Sequence, residues 1–306
     1  MKTSVLISTY NGEAFIEEQL TSLLEQTIQP DEVLIVDDCS TDVTYTKIQA
    51  FLERNSPDGW ELSQNHHNKG FRANFRALAE MATGDLVFFC DQDDVWGKRK
   101  IETCIDLMTD YPDINLVCTD YICSSNRPEA SSLAPASSHG RWDIEKVYPH
   151  KGKPYVWLGC AMAVRTSFIR EILPYWADDW AHDECVWCMA EASGGSVILH
   201  EAHLWHRVHD GNATGKKVHE KSRRIPLIEE KAKGYAETAR FCREKGIKGE
   251  PLRLFMGMSE CELARADFLQ NPTAGKAVLL LRRLGYYPEA KSYLVDVAIA
   301  AGLVSK

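Results

Sequence analysis

Residues 86–96 read LVFFCDQDDVW: an apolar run from Leu86 to Cys90 passes directly into Asp91-Gln92-Asp93-Asp94. A short apolar run, preceded by Thr83-Gly84 and stopped by polar residues, predicts a buried strand. Close carboxylates repel one another, so such a cluster is disfavoured unless a cation offsets it. Oxygen donors suit Mg²⁺ or Mn²⁺, usually held by one or two carboxylates plus substrate phosphates. The same residues also suit a solvated acidic turn that caps the next helix. Spacing alone leaves both readings open.

Outward from this strand, the first 120 residues alternate apolar runs with helical patterns. Ser4–Ser8 and Val33–Val36 predict strands that end at Thr9-Tyr10-Asn11 and Asp37-Asp38, and Trp60–Ser63 predicts a short one. Ile16, Leu20, Leu23 and Leu24 lie at helical spacing. Ser40 is placed to N-cap a helix carrying Val43, Ile48, Phe51 and Leu52. Phe71–Met81 and Lys100–Met108 predict helices, and Ile114–Thr119 a further strand. This alternation predicts βαβ units, hence an α/β fold with a mostly parallel sheet. Ligands bind at the carboxyl ends of such strands. Asp37-Asp38 fits either a hydrogen bond to a ribose or base, or an Asx-turn with Ser40.

The stretch 121–155 changes character. Ser124–Ser138 is rich in Ser, Pro and Ala and has no periodicity, which predicts a long functional or mobile loop. Order returns at Val156–Val164, followed by helices at Thr166–Leu173 and Asp183–Ala192, and a strand at Val197–His200. From Gly215 onward the pattern is helical: Ile225–Glu244, Leu252–Leu269, Thr273–Leu284 and Pro288–Ala300.

The chain carries 35 Lys and Arg against 44 Asp and Glu, a net charge of −9, which argues against a general nucleic-acid binder. Residues 215–306 hold 18 basic and 11 acidic residues, so a +7 segment follows a −16 one. That asymmetry predicts two regions, 1–215 and a helical extension over 216–306. No apolar run approaches the roughly 20 residues that span a bilayer, and no export signal is visible. The ten cysteines are therefore expected as reduced thiols in a cytoplasmic protein.

His200, His203, His206 and His209 recur every third residue, but along a strand alternate ones point to opposite faces, so one ligand from this stretch is expected. His182, Cys185 and Cys188 imitate a zinc string without a second ligand pair, and the two cysteines read as core thiols. His182-Asp183-Glu184 opens an apolar helix. It suits a plain helix start or a catalytic carboxylate, and the local sequence does not choose between them.

In order, these pieces are strand–TYNGE–helix, strand–DDCSTD, NKGFRANF, strand–DQDD-VW, LGCAMAVR, HDE and RVHDGNATG. Over about Thr3 to Gly215 the chain resembles the family 2 glycosyltransferases, which have the GT-A fold and invert the anomeric centre. It looks most similar to the bacterial, rhamnosyltransferase-like branch that builds O-antigens and other polysaccharides. The resemblance implies a dTDP- or UDP-sugar donor and a saccharide or lipid-linked saccharide acceptor. It implies that Ser8, Tyr10 and Asp38 bind the nucleoside, with Thr9 and Asn11 at the same strand end and Glu13 near the ribose. Asn68, Gly70 and Asn74 match the segment under the sugar and diphosphate. Asp91-Gln92-Asp93 matches the DXD motif, with Asp93 the direct ligand of Mn²⁺ or Mg²⁺ and His209 completing that site. Asp183 matches the general base, with Glu184 its rival for the role. Because acceptors of such enzymes are often lipid-carried, one reading of the basic extension 216–306 is a peripheral contact with the inner membrane face. The alternative is packing on the catalytic domain or on a second subunit, since Leu252, Phe255, Leu263 and Phe268 could form an ordinary core.

Two readings of other classes compete. Phe88–Val95 fits the strand–DxDxV pattern of haloacid-dehalogenase-type aspartyl phosphotransferases, but two βα units precede it here, whereas that motif opens its own fold. A non-catalytic sugar-nucleotide-binding protein would have lost an acidic or metal residue, yet Asp91, Asp93, Asp183 and His209 are all present.

Overall fold

In the computed structural model, which describes residues 1–133, 142–149, 157–177, 179–209, 220–287 and 289–303, the early apolar runs become strands. They are β1 (Thr3–Thr9), β2 (Glu32–Asp37), β3 (Trp60–Gln64) and β4 (Leu86–Cys90), joined in parallel in the order β3-β2-β1-β4. The connections are α1 (Ile16–Leu24), α2 (Thr44–Asn55) and α3 (Phe71–Met81). Val5, Leu6 and Ile7 of the central β1 are fully buried, as expected where helices cover both faces of a parallel sheet. The α1 residues Ile16, Leu20 and Leu23 supply its buried stripe. Register sets Thr9 beside Asp37 and Ile7 beside Cys90, so β1, β2 and β4 present their carboxyl ends along one edge.

The remaining strands are β5 (Val95–Trp96), β6 (Leu116–Ser124), β7 (Ile144–Val147), β8 (Met162–Arg165) and β9 (Ser196–Arg207), with α4 (Lys100–Asp110) and α5 (Thr166–Ile172) between them. The order continues β4-β8-β6-β9-β5, and β7 pairs with β9. Here the sheet turns mixed: β8 is antiparallel to both β4 and β6, while β6 and β9 run parallel. The stretch expected to be irregular from residue 121 instead begins as strand through Ser124 and contains β7. Polar side chains hide these strands from a hydrophobicity reading, because their order comes from pairing along β9. Much of the rest of that expected loop lies outside the described residues.

By packing, the chain forms two compact units that interleave along the sequence. One is Met1–Val147, Trp157–Pro174 and Gly195–Gly211, and it holds the whole sheet. The other is Tyr148–Val156, Tyr175–Gly194 and Asn212–Lys306. The helix α6 (His182–Ser193) thus belongs with α7 (Lys221–Glu244), α8 (Glu250–Gln270), α9 (Ala274–Leu281) and α10 (Ala290–Ala300). Within this second unit Phe255 and Phe268 are core residues, as expected, whereas Leu263 is 55% exposed. Cys261, Phe268, Leu280 and Tyr287 form one apolar cluster, and Ile228, Ala266, Leu269 and Ile299 another. Among the described residues no helix is long and apolar enough to cross a membrane. All ten cysteines are free thiols, eight of them buried.

Two of the extension's arginines are internal, each matched by a buried carboxylate, so the net charge of +7 rests on its other residues. Buried Asp296 accepts from Arg224 Nη2 at 2.8 Å and Arg265 Nε at 2.8 Å, and Arg265 also holds buried Glu262 at 2.7 Å. Removing one partner of a buried ion cluster leaves the others charged and unsolvated, at a cost of about 3–5 kcal/mol. Asp296→Ala is expected to lower stability by about that amount in urea unfolding followed by helical signal. Arg223→Ala, which removes an exposed ion pair to Glu220, should change it by about 1 kcal/mol or less. Equal effects of the two substitutions would contradict this account.

Candidate active site

Asp37 and Asp38 end β2 side by side and do different work. Asp37 is wholly buried and accepts from Thr9 Oγ1 at 3.1 Å, Ser40 Oγ at 2.5 Å, Ser40 N at 2.9 Å and Gln64 Nε2 at 3.0 Å. This is the Asx-turn reading, carried by Asp37 alone. Ser40 is therefore not the expected helix N-cap: α2 starts at Thr44, and Asp42 accepts from the Thr44 amide at 2.9 Å.

Asp38 is also buried, and its carboxylate gathers the loop before α3. It accepts from Asn65 Nδ2 at 2.8 Å and from the amides of Lys69 and Gly70 at 2.9 and 2.8 Å. Burial alone would raise this carboxyl, but the hydrogen bonds outweigh it and hold the group below the ordinary range. Gly70 presents its amide with φ of +82°, a backbone conformation that favours glycine. Asn65 passes a hydrogen bond to Asn74 Oδ1 at 2.9 Å, and Asn74 Nδ2 donates to Ser8 Oγ at 3.1 Å. Ser8, Asp38, Gly70 and Asn74 are thereby brought together in one network, while Asn68 stands exposed on its loop.

Asn11 and Glu13 lock the loop after β1 to the loop after β2. Asn11 Oδ1 accepts from Thr41 N at 2.9 Å, and Glu13 Oε2 from Val43 N at 3.2 Å. Gln92 makes the matching tie to β4. Its Oε1 accepts from Tyr10 N at 2.9 Å and its Nε2 donates to Tyr10 O at 3.0 Å. A Cβ at Gly12 would lie 2.3 Å from Gln92 Oε1, so any larger residue there would displace the Gln92 amide from Tyr10. The ring of Tyr10 remains exposed.

At the end of β4 the acidic cluster meets the end of β9. Asp93 Oδ2 lies 2.8 Å from His209 Nε2, and the His209 ring packs on Phe15 with centroids 4.5 Å apart. Arg207 bonds the Asp93 carbonyl at 3.0 Å, ion-pairs with Glu18 and lies over the rings of Phe15 and Trp205. Asp94, fully buried, bonds His206 Nδ1 at 2.9 Å, and ligand atoms of Asp94, Cys160 and His206 all lie within 4.8 Å of one another. Buried Lys100 donates to the Cys160 carbonyl and sits 3.8 Å from the centre of the Trp96 ring.

The electrostatics of this cluster would favour a cation. Burial first, then the charges of Asp94 and Asp93, push the Asp91 carboxyl up to about 8. Burial and Asp94 raise Asp93 too, and the hydrogen bond to Asp94 raises His206. Two atoms bound to one ion at right angles at roughly 2.1 Å would stand about 3 Å apart. The Asp93–His209 contact fits that spacing; the carboxylate oxygen suits Mn²⁺ or Mg²⁺, and the imidazole nitrogen suits Mn²⁺ better than Mg²⁺. Sequence reasoning included Asp94 in the acidic run but did not pair it with His206. The pairing spans 112 residues and has no local signal. Asp183 lies in the other compact unit, half-buried in the first turn of α6, with Oδ1 accepting from Glu184 N at 2.8 Å.

Residues 4–172 match the family model described as "Glycosyl transferase family 2". The chain belongs to that family. This glycosyltransferase is 27% identical over 231 residues to the dTDP-rhamnosyl transferase RfbG of Shigella flexneri, covering 74% of this chain and 80% of RfbG. Its fold matches S. aureus TarS 1–349 in complex with UDP-GlcNAc with a TM-score of 0.58 at 20% identity, over 99% of this chain and 91% of that one. It also matches the mannosyltransferase PcManGT of Pyrobaculum calidifontis, solved with GDP-Man and Mn²⁺, with a TM-score of 0.54 at 20% identity, over 99% and 86%. The sequence match spans 66% of an uncharacterized glycosyltransferase of Nostoc sp. and 18% of full TarS. The fold is therefore GT-A, with helices added, and the enzyme is a transferase. The aspartyl phosphotransferase reading falls with that match.

The Asp91 shift makes a signed prediction. A carboxyl that keeps its proton to about pH 8 when folded, against 3.8 ordinarily, favours the folded state most at low pH. That contribution is lost as pH rises through the window between these values. In chelator, Asp91→Asn should flatten the fall in melting temperature across this window and melt above the parent at its upper end. Parallel curves for the two proteins would contradict the assignment.

Proposed function

We propose that this glycosyltransferase inverts the anomeric centre of a hexosyl group as it moves it from a dTDP- or UDP-sugar to a hydroxyl of a saccharide or lipid-linked saccharide, in cell-surface polysaccharide synthesis. The observation that carries the reading is the pairing of Asp93 with His209 beside the raised carboxyl of Asp91, at the carboxyl end of β4. The rhamnosyl activity named for RfbG and the UDP-GlcNAc and Mn²⁺ named with the solved structures support the donor class and the metal.

Asp93 and His209 would hold Mn²⁺ or Mg²⁺, which when bound neutralises charge on the departing diphosphate. The network of Ser8, Asn74 and Asp38 receives the nucleoside, and the amides of Lys69 and Gly70 stay ordered because Asp38 engages them. Asp183 takes the proton from the acceptor hydroxyl as its oxygen bonds to C1. The C1–oxygen bond to the diphosphate breaks in the same displacement, and its electron pair leaves with the nucleoside diphosphate. No covalent enzyme intermediate is required.

Asp93→Ala is expected to abolish Mn²⁺-dependent binding of UDP or dTDP in calorimetric titrations. Asp183→Asn should bind the nucleotide like the parent but lose turnover by roughly 10²–10⁴-fold. Parent-like metal-dependent binding in the first variant, or parent-like turnover in the second, would remove the corresponding role.

The extension also supports a contact with an anionic membrane face. Val278, Leu279 and Leu281 of α9 and Leu294 of α10 are exposed, as are Arg282 and Lys291. Attraction of this kind is screened over about 10 Å at 0.1 M salt. The protein should sediment with phosphatidylserine vesicles at low salt and be released at high salt. Failure to sediment at low salt would leave these side chains to a protein partner.

A further inference from the structure

Helix α6 is buried nearly all round. Of its residues only Asp183 and Ser193 escape full burial. A helix that carries a reactive carboxylate on so enclosed a frame takes its aim from whatever packs against it. Within the second unit that element is α7. Glu184, immediately after Asp183, receives Lys231 Nζ at 3.2 Å and Tyr235 Oη at 3.4 Å on one carboxylate oxygen. Both donors come from successive turns of α7.

The segment leading into α6 is seated on the same helix. A Cβ at Gly234 would lie 2.4 Å from the Trp180 ring, so the ring rests directly on the α7 backbone. Lys233 pairs with Asp179 at 3.1 Å. Tyr175 donates to Glu244 at 2.7 Å, with its ring edge-on to Phe241 and its face 4.4 Å from the Arg240 guanidinium. Lys231, Gly234, Tyr235 and Phe241 recur at the spacing of one helical face. Independent contacts therefore fix Tyr175, Asp179, Trp180 and Glu184.

We propose that α7 is a positioning element for catalysis, in which Lys231 and Tyr235 clamp Glu184 and so hold the first turn of α6 and the carboxylate of Asp183 in place. This rests on the reading of Asp183 as the base. It also separates the two acidic neighbours: Glu184 spends its carboxylate on the clamp, and Asp183 keeps one oxygen beyond its bond to the Glu184 amide. The Glu184 charge, in turn, holds the Lys231 ammonium above its ordinary range. The extension is then part of the enzyme's working parts, whatever surface its outer helices meet.

Displacements of about 1 Å at a reacting group can cost on the order of 100-fold in rate. Lys231→Met is accordingly expected to lower kcat by roughly 10- to 100-fold, read as nucleoside diphosphate release from dTDP-rhamnose or UDP-GlcNAc with Mn²⁺. KM for the donor and the affinity for UDP with Mn²⁺ should stay at the parent's values. Tyr235→Phe should shift kcat the same way by less, and Lys231→Arg should restore most of the loss. Amide exchange over residues 183–187 should quicken in the Met and Phe variants, a readout that needs no substrate. Parent-like exchange and kcat in both variants, with Asp183→Asn inactive, would overturn the clamp alone. Normal turnover in Asp183→Asn would overturn the base assignment itself.

Discussion

Repulsion among Asp91, Asp93 and Asp94 is the constraint on which the sheet-bearing unit is built. The carboxylates follow a strand with every residue buried, so they cannot fray into solvent to escape one another. The fold answers by bringing in β9, whose far end supplies His206 to Asp94 and His209 to Asp93. That delivery explains the mixed half of the sheet. β9 runs parallel to β6 to its end and on its other side pairs antiparallel with β5, setting Trp205 opposite Val95. Arg207, between the two histidines, ties the strand to Glu18 of α1 and to the Asp93 carbonyl. Two imidazoles only partly relieve the cluster, as the raised Asp91 carboxyl shows, and a bound cation would relieve it further.

The loops over the other strand ends follow a second rule: polar side chains there are spent on one another before any ligand arrives. Asp37 is saturated by Thr9, Ser40 and Gln64, and Gln92 pairs with both backbone groups of Tyr10. Such preorganisation means that a bound nucleotide need not order these loops itself. It also separates residues that build the site, such as Asn11 and Glu13, from those left with surface to offer, such as Tyr10 and Asn68.

The fold was legible in the sequence where burial speaks through periodicity. α3 and β4 fall on the residues that their patterns indicate, because both bury a continuous apolar face. The Asp93–His209 pair was legible only through the order of family motifs, and the structure puts the two in contact. Features that rest on long-range pairing were not legible. Ser40 has the chemistry of a helix cap, but Asp37 engages it first. The strand content after residue 121 depends on pairing with a distant strand, β9: Val147 lies opposite Ser196 and Ile122 opposite Trp205. The charge count did not reveal that Arg224 and Arg265 turn inward to Asp296 and Glu262, a pairing that takes up two charges of each sign and leaves the excess of +7 on other residues. Nor does chain order reveal that α6 packs with the helices that follow residue 220.

The central claim is that the acidic strand end works through a divalent cation on a nucleotide sugar. The most direct measurement is release of nucleoside diphosphate from dTDP-rhamnose and UDP-GlcNAc, with Mn²⁺ and with an excess of EDTA. Release should depend on Mn²⁺, stop in EDTA and return when the ion is restored. Equal release in EDTA and in Mn²⁺ would contradict the claim.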